Sequence, residues 1–404
     1  MNLLYLAPWF PYPLDTGSRT RIYYLLRGLA ERHRVTLLTL DAQGWAPAQV
    51  EAVAPLCEDV AIVHRDPFQR SLLRQATRFF SMRPVVAYPF PEMMRLAQER
   101  HSKSSFDVVI AGTQIMAPYA LAIAGVQHVL EEHNSSTRWM RERHCAQTSV
   151  VPRLRCFASW RKSAQYEARL FSRFNLVTMV SDQDRKTARA LLRKDDPPVL
   201  VVPNGVDCQH LRPGLARPEP DTIVFSGALT YQANYEAMQF FLDQVYPMIR
   251  AQRPGVRLRV TGATRGVDLN HLRLDESVTL TGFVDDVRPE IARAWVSVAP
   301  IRTGGGTRIK ILEAMALGTP VVSTKKGAEG LDLADGPDGQ ILLADAAEAF
   351  GRRILELLDA PEMRQQLATR ARQLVEERYD WADIGRRFAA AVESTAETAK
   401  VAHP

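Results

Sequence analysis

Cysteine is scarce in this sequence: Cys57, Cys145, Cys156 and Cys208 are the only four, and they lie far apart. With no C-x-x-C pair and no histidine at zinc-finger spacing, neither a disulfide framework nor a structural zinc site organises the chain, and a reducing compartment is expected. Low-complexity tracts are missing, so disorder is not expected beyond the last few residues. No apolar run approaches the roughly 20 residues that span a bilayer. The opening MNLLYLAPWF lacks the basic flank of a signal peptide and runs directly into a strand-like pattern. These absences point to a cytoplasmic protein, attached at most to the inner face of a membrane. The dinucleotide fingerprint G-x-G-x-x-G is also absent, since neither the turn at Gly17 nor that at Gly227 has its spacing. That weakens any nicotinamide-dependent oxidoreductase reading. The one D-x-D, Asp182-Gln183-Asp184, opens a helical pattern, where Asp182 reads as an N-cap or first-turn acid rather than a metal ligand. No metal site and no cofactor are expected.

What is present is ordinary globular material. The 404 residues are 46% hydrophobic and 24% charged, enough for two domains with a core each. The net charge of +6 is uneven, with a basic first half and a mildly acidic second half, which suggests an anionic partner for the first. Short runs rich in β-branched residues and Leu recur from Asn2–Ala7 to Val199–Val202, and again from Thr222–Ser226 to Ile341–Leu343. Longer amphipathic stretches separate them, the pattern of parallel sheets covered on both faces. The turn cluster Pro203–Asp207 and the Pro- and Arg-rich stretch after it mark the join. The expected organisation is a first domain over 1–203, a second over 204–379, and a terminal helix over 380–404. In that helix Trp381, Ile384, Phe388 and Val392 form one apolar stripe that must pack somewhere.

Two turns could carry chemistry. After the first strand, Asp15-Thr16-Gly17-Ser18 precede a helix with Ile22, Leu25, Leu26 and Leu29 on one side. Gly17 would let an anion approach the backbone, or the turn is an ordinary one capped by Thr16 or Ser18. The second turn is richer. Gly304, Gly305, Gly306 and Thr307 lead into a helix whose first turn carries Arg308 and Lys310. Cations there oppose the helix dipole and cost stability unless an anion is bound, and a diphosphate would satisfy both. Glu313, one turn on, could hydrogen-bond a sugar diol.

Taken in order along the chain, GSRTR after the first strand, VPNGVD at the join, the GFVDD turn and TGGGTRIKILEAMALGTPVV resemble the retaining GT-B glycosyltransferases of family GT4. The resemblance implies an α/β fold of two facing, doubly wound Rossmann-like domains with an interdomain cleft. The acceptor would bind mainly to the first domain and a nucleotide sugar to the second, with the last helix crossing back to the first. It implies that Gly17, with Ser18, lies against the donor diphosphate, and that Gly227 belongs to the donor site. Gly304–Thr307 would offer backbone donors, Phe283 and Val284 would lie near the base, and Glu313 would bind the ribose. His133, in HVLEEHN, matches a family histidine close to the transferred sugar.

The sequence departs from the family twice. The first glutamate of its E-x7-E motif falls at Gly305, and the Arg and Lys that many relatives carry after the first strand of the second domain are missing from Ser226–Met238. Arg308 and Lys310 are expected to neutralise the diphosphate instead, with Arg302 or Arg265 as other candidates. The implied reaction retains anomeric configuration without a metal and serves polysaccharide or glycolipid assembly, with a carbohydrate or lipid-linked acceptor. A sugar-nucleotide epimerase or a non-catalytic nucleotide-sugar-binding protein would share the scaffold. Two basic, aromatic stretches of the first half suit either an anionic membrane face or solvated helices. One is Arg65–Pro84, with Arg70, Arg74 and Arg78 beside Leu72, Leu73, Phe79 and Phe80; the other is Arg138–Arg173, with Trp139, Phe157 and Trp160. No nucleic-acid recognition motif accompanies them.

Overall fold

The computed structural model describes residues 1–41, 44, 47–67 and 89–402. The stretch containing Arg70, Arg74, Arg78, Leu72, Leu73, Phe79 and Phe80 lies outside them. The chain forms two compact units, one of Met1–Pro203 with Ala382–Pro404 and one of Asn204–Trp381.

The first unit is built on a seven-stranded sheet in the order β3-β2-β1-β4-β5-β6-β7. Its strands are β1 (Asn2–Ala7), β2 (Arg34–Leu40), β3 (Asp59–Val63), β4 (Val108–Gly112), β5 (Gln127–Glu131), β6 (Leu176–Met179) and β7 (Val199–Val201). All neighbours pair in parallel, so every strand ends at the same edge. The strands are apolar nearly throughout because helices cover both faces: Leu3, Leu4, Tyr5 and Leu6 are all fully buried. The strand order reverses between β1 and β4, and in an open α/β sheet that switch point, at the carboxyl ends, is where a crevice forms.

The helix Gly17–Ala30 follows β1 and buries Ile22, Leu25, Leu26 and Leu29 completely. Thr16 caps it, accepting from Arg19 N at 3.4 Å, which settles the choice between Thr16 and Ser18. The last helix, Trp381–Ala402, packs on it. The two cross at Gly28 and Gly385, where a Cβ added to Gly28 would sit 2.4 Å from Gly385 Cα. Ile384, Phe388 and Val392 are fully buried, each burial contributing about 2 kcal/mol.

The second unit carries a six-stranded sheet in the order β10-β9-β8-β11-β12-β13. Its strands are β8 (Thr222–Ser226), β9 (Arg257–Thr261), β10 (Val278–Gly282), β11 (Val296–Ala299), β12 (Val321–Ser323) and β13 (Leu342–Leu343). These too are all parallel. Along β8, Ile223 and Phe225 enter one core cluster and Val224 the other, the alternation a doubly covered sheet imposes. The switch point falls between β8 and β11. Where the chain enters this unit, Val206 N donates to Tyr379 O (2.9 Å), and where it leaves, Trp381 N donates to Val206 O (3.0 Å).

Candidate active site

In the second unit the strand ends collect the predicted donor residues. Gly227 directly follows β8, Phe283 and Val284 follow β10, and the loop through Gly304, Gly305, Gly306 and Thr307 follows β11. The β8 and β11 turns flank the switch point. Gly304 and Gly306 both adopt φ 85°, a left-handed backbone that favours glycine, so the sharp turn depends on them. Arg308 occupies the N-cap of the helix Ile309–Ala316. Its guanidinium folds back over the loop, donating to Gly305 O at 2.5 Å and Thr303 O at 3.1 Å. At the position of the family's first glutamate, therefore, a backbone carbonyl meets an arginine. Arg302 turns away, its guanidinium 4.7 Å above the Phe240 ring.

Lys310 reaches in the opposite direction, to the end of β8. Its Nζ donates to Asn234 Oδ1 at 2.9 Å and lies 4.0 Å over the Phe225 ring. A Cβ on Gly227 would stand 2.5 Å from that nitrogen, so only glycine leaves it room. Desolvation, then the charge of Arg308, pushes the ammonium down to about 7, against the pull of Glu313. Desolvation likewise raises the Glu313 carboxyl, and Lys310 opposes the rise. Ser226 Oγ at the end of β8, Thr261 Oγ1 at the end of β9 and Thr307 Oγ1 in the glycine loop are buried without a protein partner. Buried hydroxyls are normally satisfied, so three at one sheet edge mark a place for a polar ligand. Phe283 is 73% exposed. A separate groove of about 600 Å³ lies at the opposite edge, lined by Trp295 and Pro320, which precede β11 and β12.

The first unit arranges its strand ends differently. His133 stands just past β5, with Nδ1 3.3 Å from Ser18 Oγ and Nε2 3.2 Å from Glu131 Oε2. Glu131 is fully buried and receives Arg21 Nε at 2.5 Å and the Tyr5 hydroxyl at 3.2 Å. Arg21 also donates to Pro203 O at 3.1 Å. Burial alone would raise the Glu131 carboxyl, but Arg21 and then His133 outweigh it and hold it well below the usual range. An ionised carboxylate only accepts, so His133 donates to it from Nε2. Gly17, the first residue of its helix, is exposed next to Ser18. The structure thus brings Ser18 and His133 together.

Sequence reasoning missed Arg21, Glu131 and Tyr5. A signal existed: Arg21 falls on the apolar face of its helix and Glu131 ends an apolar strand, two charges at core positions. It also missed Thr113, at the end of β4, whose φ of 65° is rare for a β-branched residue and stores strain beside the switch point. Next to it Gln114 Nε2 donates to Ser136 Oγ at 2.6 Å. Asp182 is a first-turn acid paired with Arg185 and Lys186, and Ser181 rather than Asp182 is the N-cap.

Two family models match the chain. Residues 16–210 match Glycosyltransferase Family 4 and residues 220–360 match Glycosyl transferases group 1. A phosphatidyl-myo-inositol mannosyltransferase of Mycolicibacterium smegmatis is 31% identical over 217 residues, 51% of this chain and 53% of that relative. The match thus spans about half the length of the mannosyltransferase. Among solved structures, a sucrose-phosphate synthase from Thermosynechococcus elongatus superposes with a TM-score of 0.73 at 16% identity, covering 98% of this chain and 99% of that one. HepE of Anabaena, in complex with UDP and glucose, gives 0.67 at 18% identity, covering 98% and 100%.

Proposed function

We infer the reaction from one premise: the chain belongs to the GT4 family of glycosyltransferases, with the GT-B architecture. Its activity is transfer of a sugar from a nucleoside diphosphate sugar to an acceptor hydroxyl, with retention of anomeric configuration and no metal ion. The acceptor is a carbohydrate or a lipid-linked carbohydrate of polysaccharide or glycolipid assembly, met at the inner face of a membrane. One observation carries this reading above the others. Lys310 delivers its ammonium to the turn after β8, where the family's usual cations are missing, beside three unpartnered hydroxyls and the glycine loop.

In the reaction the bond from the anomeric carbon to the β-phosphate oxygen breaks, and a bond from that carbon to the acceptor oxygen forms on the same face. The acceptor proton passes to the leaving phosphate. Negative charge therefore grows on the diphosphate, and preorganised cations and donors stabilise that change most. Lys310 and Arg308 supply the charge, and Gly304–Thr307 with Gly227 let the phosphates approach the backbone. Glu313 accepts from the ribose hydroxyls, while Phe283 and Val284 flank the base. On the first unit, His133 hydrogen-bonds a sugar hydroxyl through Nδ1, with Gly17 and Ser18 against the donor. UDP-glucose is the first donor to test, because the HepE complexes hold UDP and glucose.

The test is a panel of nucleotide sugars in excess EDTA, read by nucleoside diphosphate release and by the anomeric NMR signal of the product. Release from one donor, with the product keeping the donor's configuration, is the expected result. Interconversion of donors without release would identify an epimerase. No turnover of any donor, despite binding, would leave a binding protein.

A further inference from the structure

The helix Ser136–Ala146 and the helix Val150–Phe171 form a hairpin on the first unit whose tip is unusually apolar for a surface. Among the described residues eleven large hydrophobic side chains are exposed, and five of them lie here: Trp139, Val150, Val151, Leu154 and Phe157. Val150, Val151 and Leu154 are 72%, 76% and 63% exposed. With Phe157 they follow the spacing i, i+1, i+4, i+7, a single helix face. Scattered apolar residues need no explanation, but a contiguous patch marks an interaction site.

The same hairpin is strongly cationic. Between Ser136 and Lys162 the sequence holds seven Arg and Lys and one acid, Glu142. Glu142 is already paired with Arg138 at 3.2 Å. Arg141, Arg143, Arg153 and Arg155 are exposed around the apolar face. An aromatic cluster fixes the tip: His144 stacks on Trp160 at 6.0 Å, and Phe157 meets Trp160 edge-on at 5.7 Å. Arg143 lies 5.0 Å over Trp139, so the charges are held near the apolar side chains.

We propose that this hairpin tip docks the protein on an anionic lipid bilayer, with Val150, Val151 and Leu154 entering the headgroup layer and the surrounding arginines holding lipid phosphates. Three neighbouring aliphatic side chains gain nothing from nucleic acid, which rewards aromatic stacking and hydrogen bonding, whereas acyl chains receive them directly. The ring of cations complements an anionic leaflet, whose surface potential attracts basic side chains. The inference rests on the membrane component of the proposed function and is independent of the donor chemistry.

The experiment is flotation of the full chain with vesicles of phosphatidylcholine alone or mixed with phosphatidylglycerol, at physiological salt. Two variants accompany it, Val150→Ser/Val151→Ser/Leu154→Ser and Arg153→Gln/Arg155→Gln, with circular dichroism and UDP binding measured on each. The expected result is binding to anionic vesicles only, weakened about tenfold or more in each variant while fold and UDP affinity stay unchanged. Absence of wild-type binding, or equal binding by both variants, would overturn the proposal, as would a preference for an RNA oligonucleotide over vesicles. Failure of the wild type to bind any of UDP, GDP, ADP and dTDP, with vesicle binding intact, would overturn the donor reading and leave the docking surface standing.

Discussion

The two units share a topology and end their strands in opposite electrostatic styles. In the first, three side chains converge on one buried carboxylate: Arg21, Tyr5 and His133 all meet Glu131. In the second, Ser226, Thr261 and Thr307 keep hydroxyls without partners, and Arg308 and Lys310 gather at a helix start that disfavours them. The first holds one histidine through a paired carboxylate, although Glu132 Oε1 and Thr178 Oγ1 nearby are buried without a protein partner. The second leaves polar groups that the protein itself does not satisfy. The contrast teaches where binding energy would go: under the proposed function, cations and unpartnered hydroxyls at the second edge are a deficit that a diphosphate would remove.

The largest effect that would break this comparison is on stability in the first unit. Arg21→Ala leaves Glu131 ionised and buried without its main partner, and should cost about 3–5 kcal/mol in urea unfolding. The double variant Arg21→Met/Glu131→Leu should recover most of that loss. A cost under about 1 kcal/mol for the single change would mean the carboxylate is not held by charge at all. The folded Glu131 carboxyl is depressed, so its contribution is present above the ordinary value of about 4.3 and is lost as pH falls toward the folded value. Acid unfolding of the wild type should therefore show a transition that the double variant lacks.

The second unit should behave in the opposite way. Lys310→Met removes a desolvated ammonium and should raise the apo Tm by about 3 °C, while weakening nucleoside diphosphate binding at least about tenfold. Because the free Lys310 ammonium sits at about 7, donor binding must raise it. Affinity should then fall as pH rises above 7, by up to about tenfold per pH unit, and Lys310→Met should flatten that slope. Calorimetry in buffers of different ionisation enthalpy would show the proton uptake. The smallest effect belongs to Phe283→Ala. It should change stability by less than about 0.5 kcal/mol and alter nucleotide affinity only a few-fold, since its side chain is mostly in solvent.

Much of the architecture was legible because parallel strands buried on both faces must be apolar runs. Each of the thirteen strand patterns read from the sequence corresponds to a strand, with ends shifted by a residue or two. The stripe Trp381, Ile384, Phe388 and Val392 announced a helix that had to be covered, and all four are buried. The glycine loop was legible because Gly304 and Gly306 have no substitute at their φ. The Glu131 network was not, since a pair 110 residues apart leaves no local pattern and a charge at a core position looks like noise until its partner is known. Lys310 was read as a cation at a helix start. Its reach to Asn234 and Gly227 depends on tertiary placement that spacing does not encode.

The most direct test of the central claim is calorimetric titration with UDP, GDP, ADP and dTDP in excess EDTA, on the wild type and on Arg308→Ala/Lys310→Ala. One diphosphate should bind the wild type without metal, and the double variant should lose about tenfold or more of that affinity. Equal binding by both proteins would contradict the assignment of these two cations to the donor diphosphate.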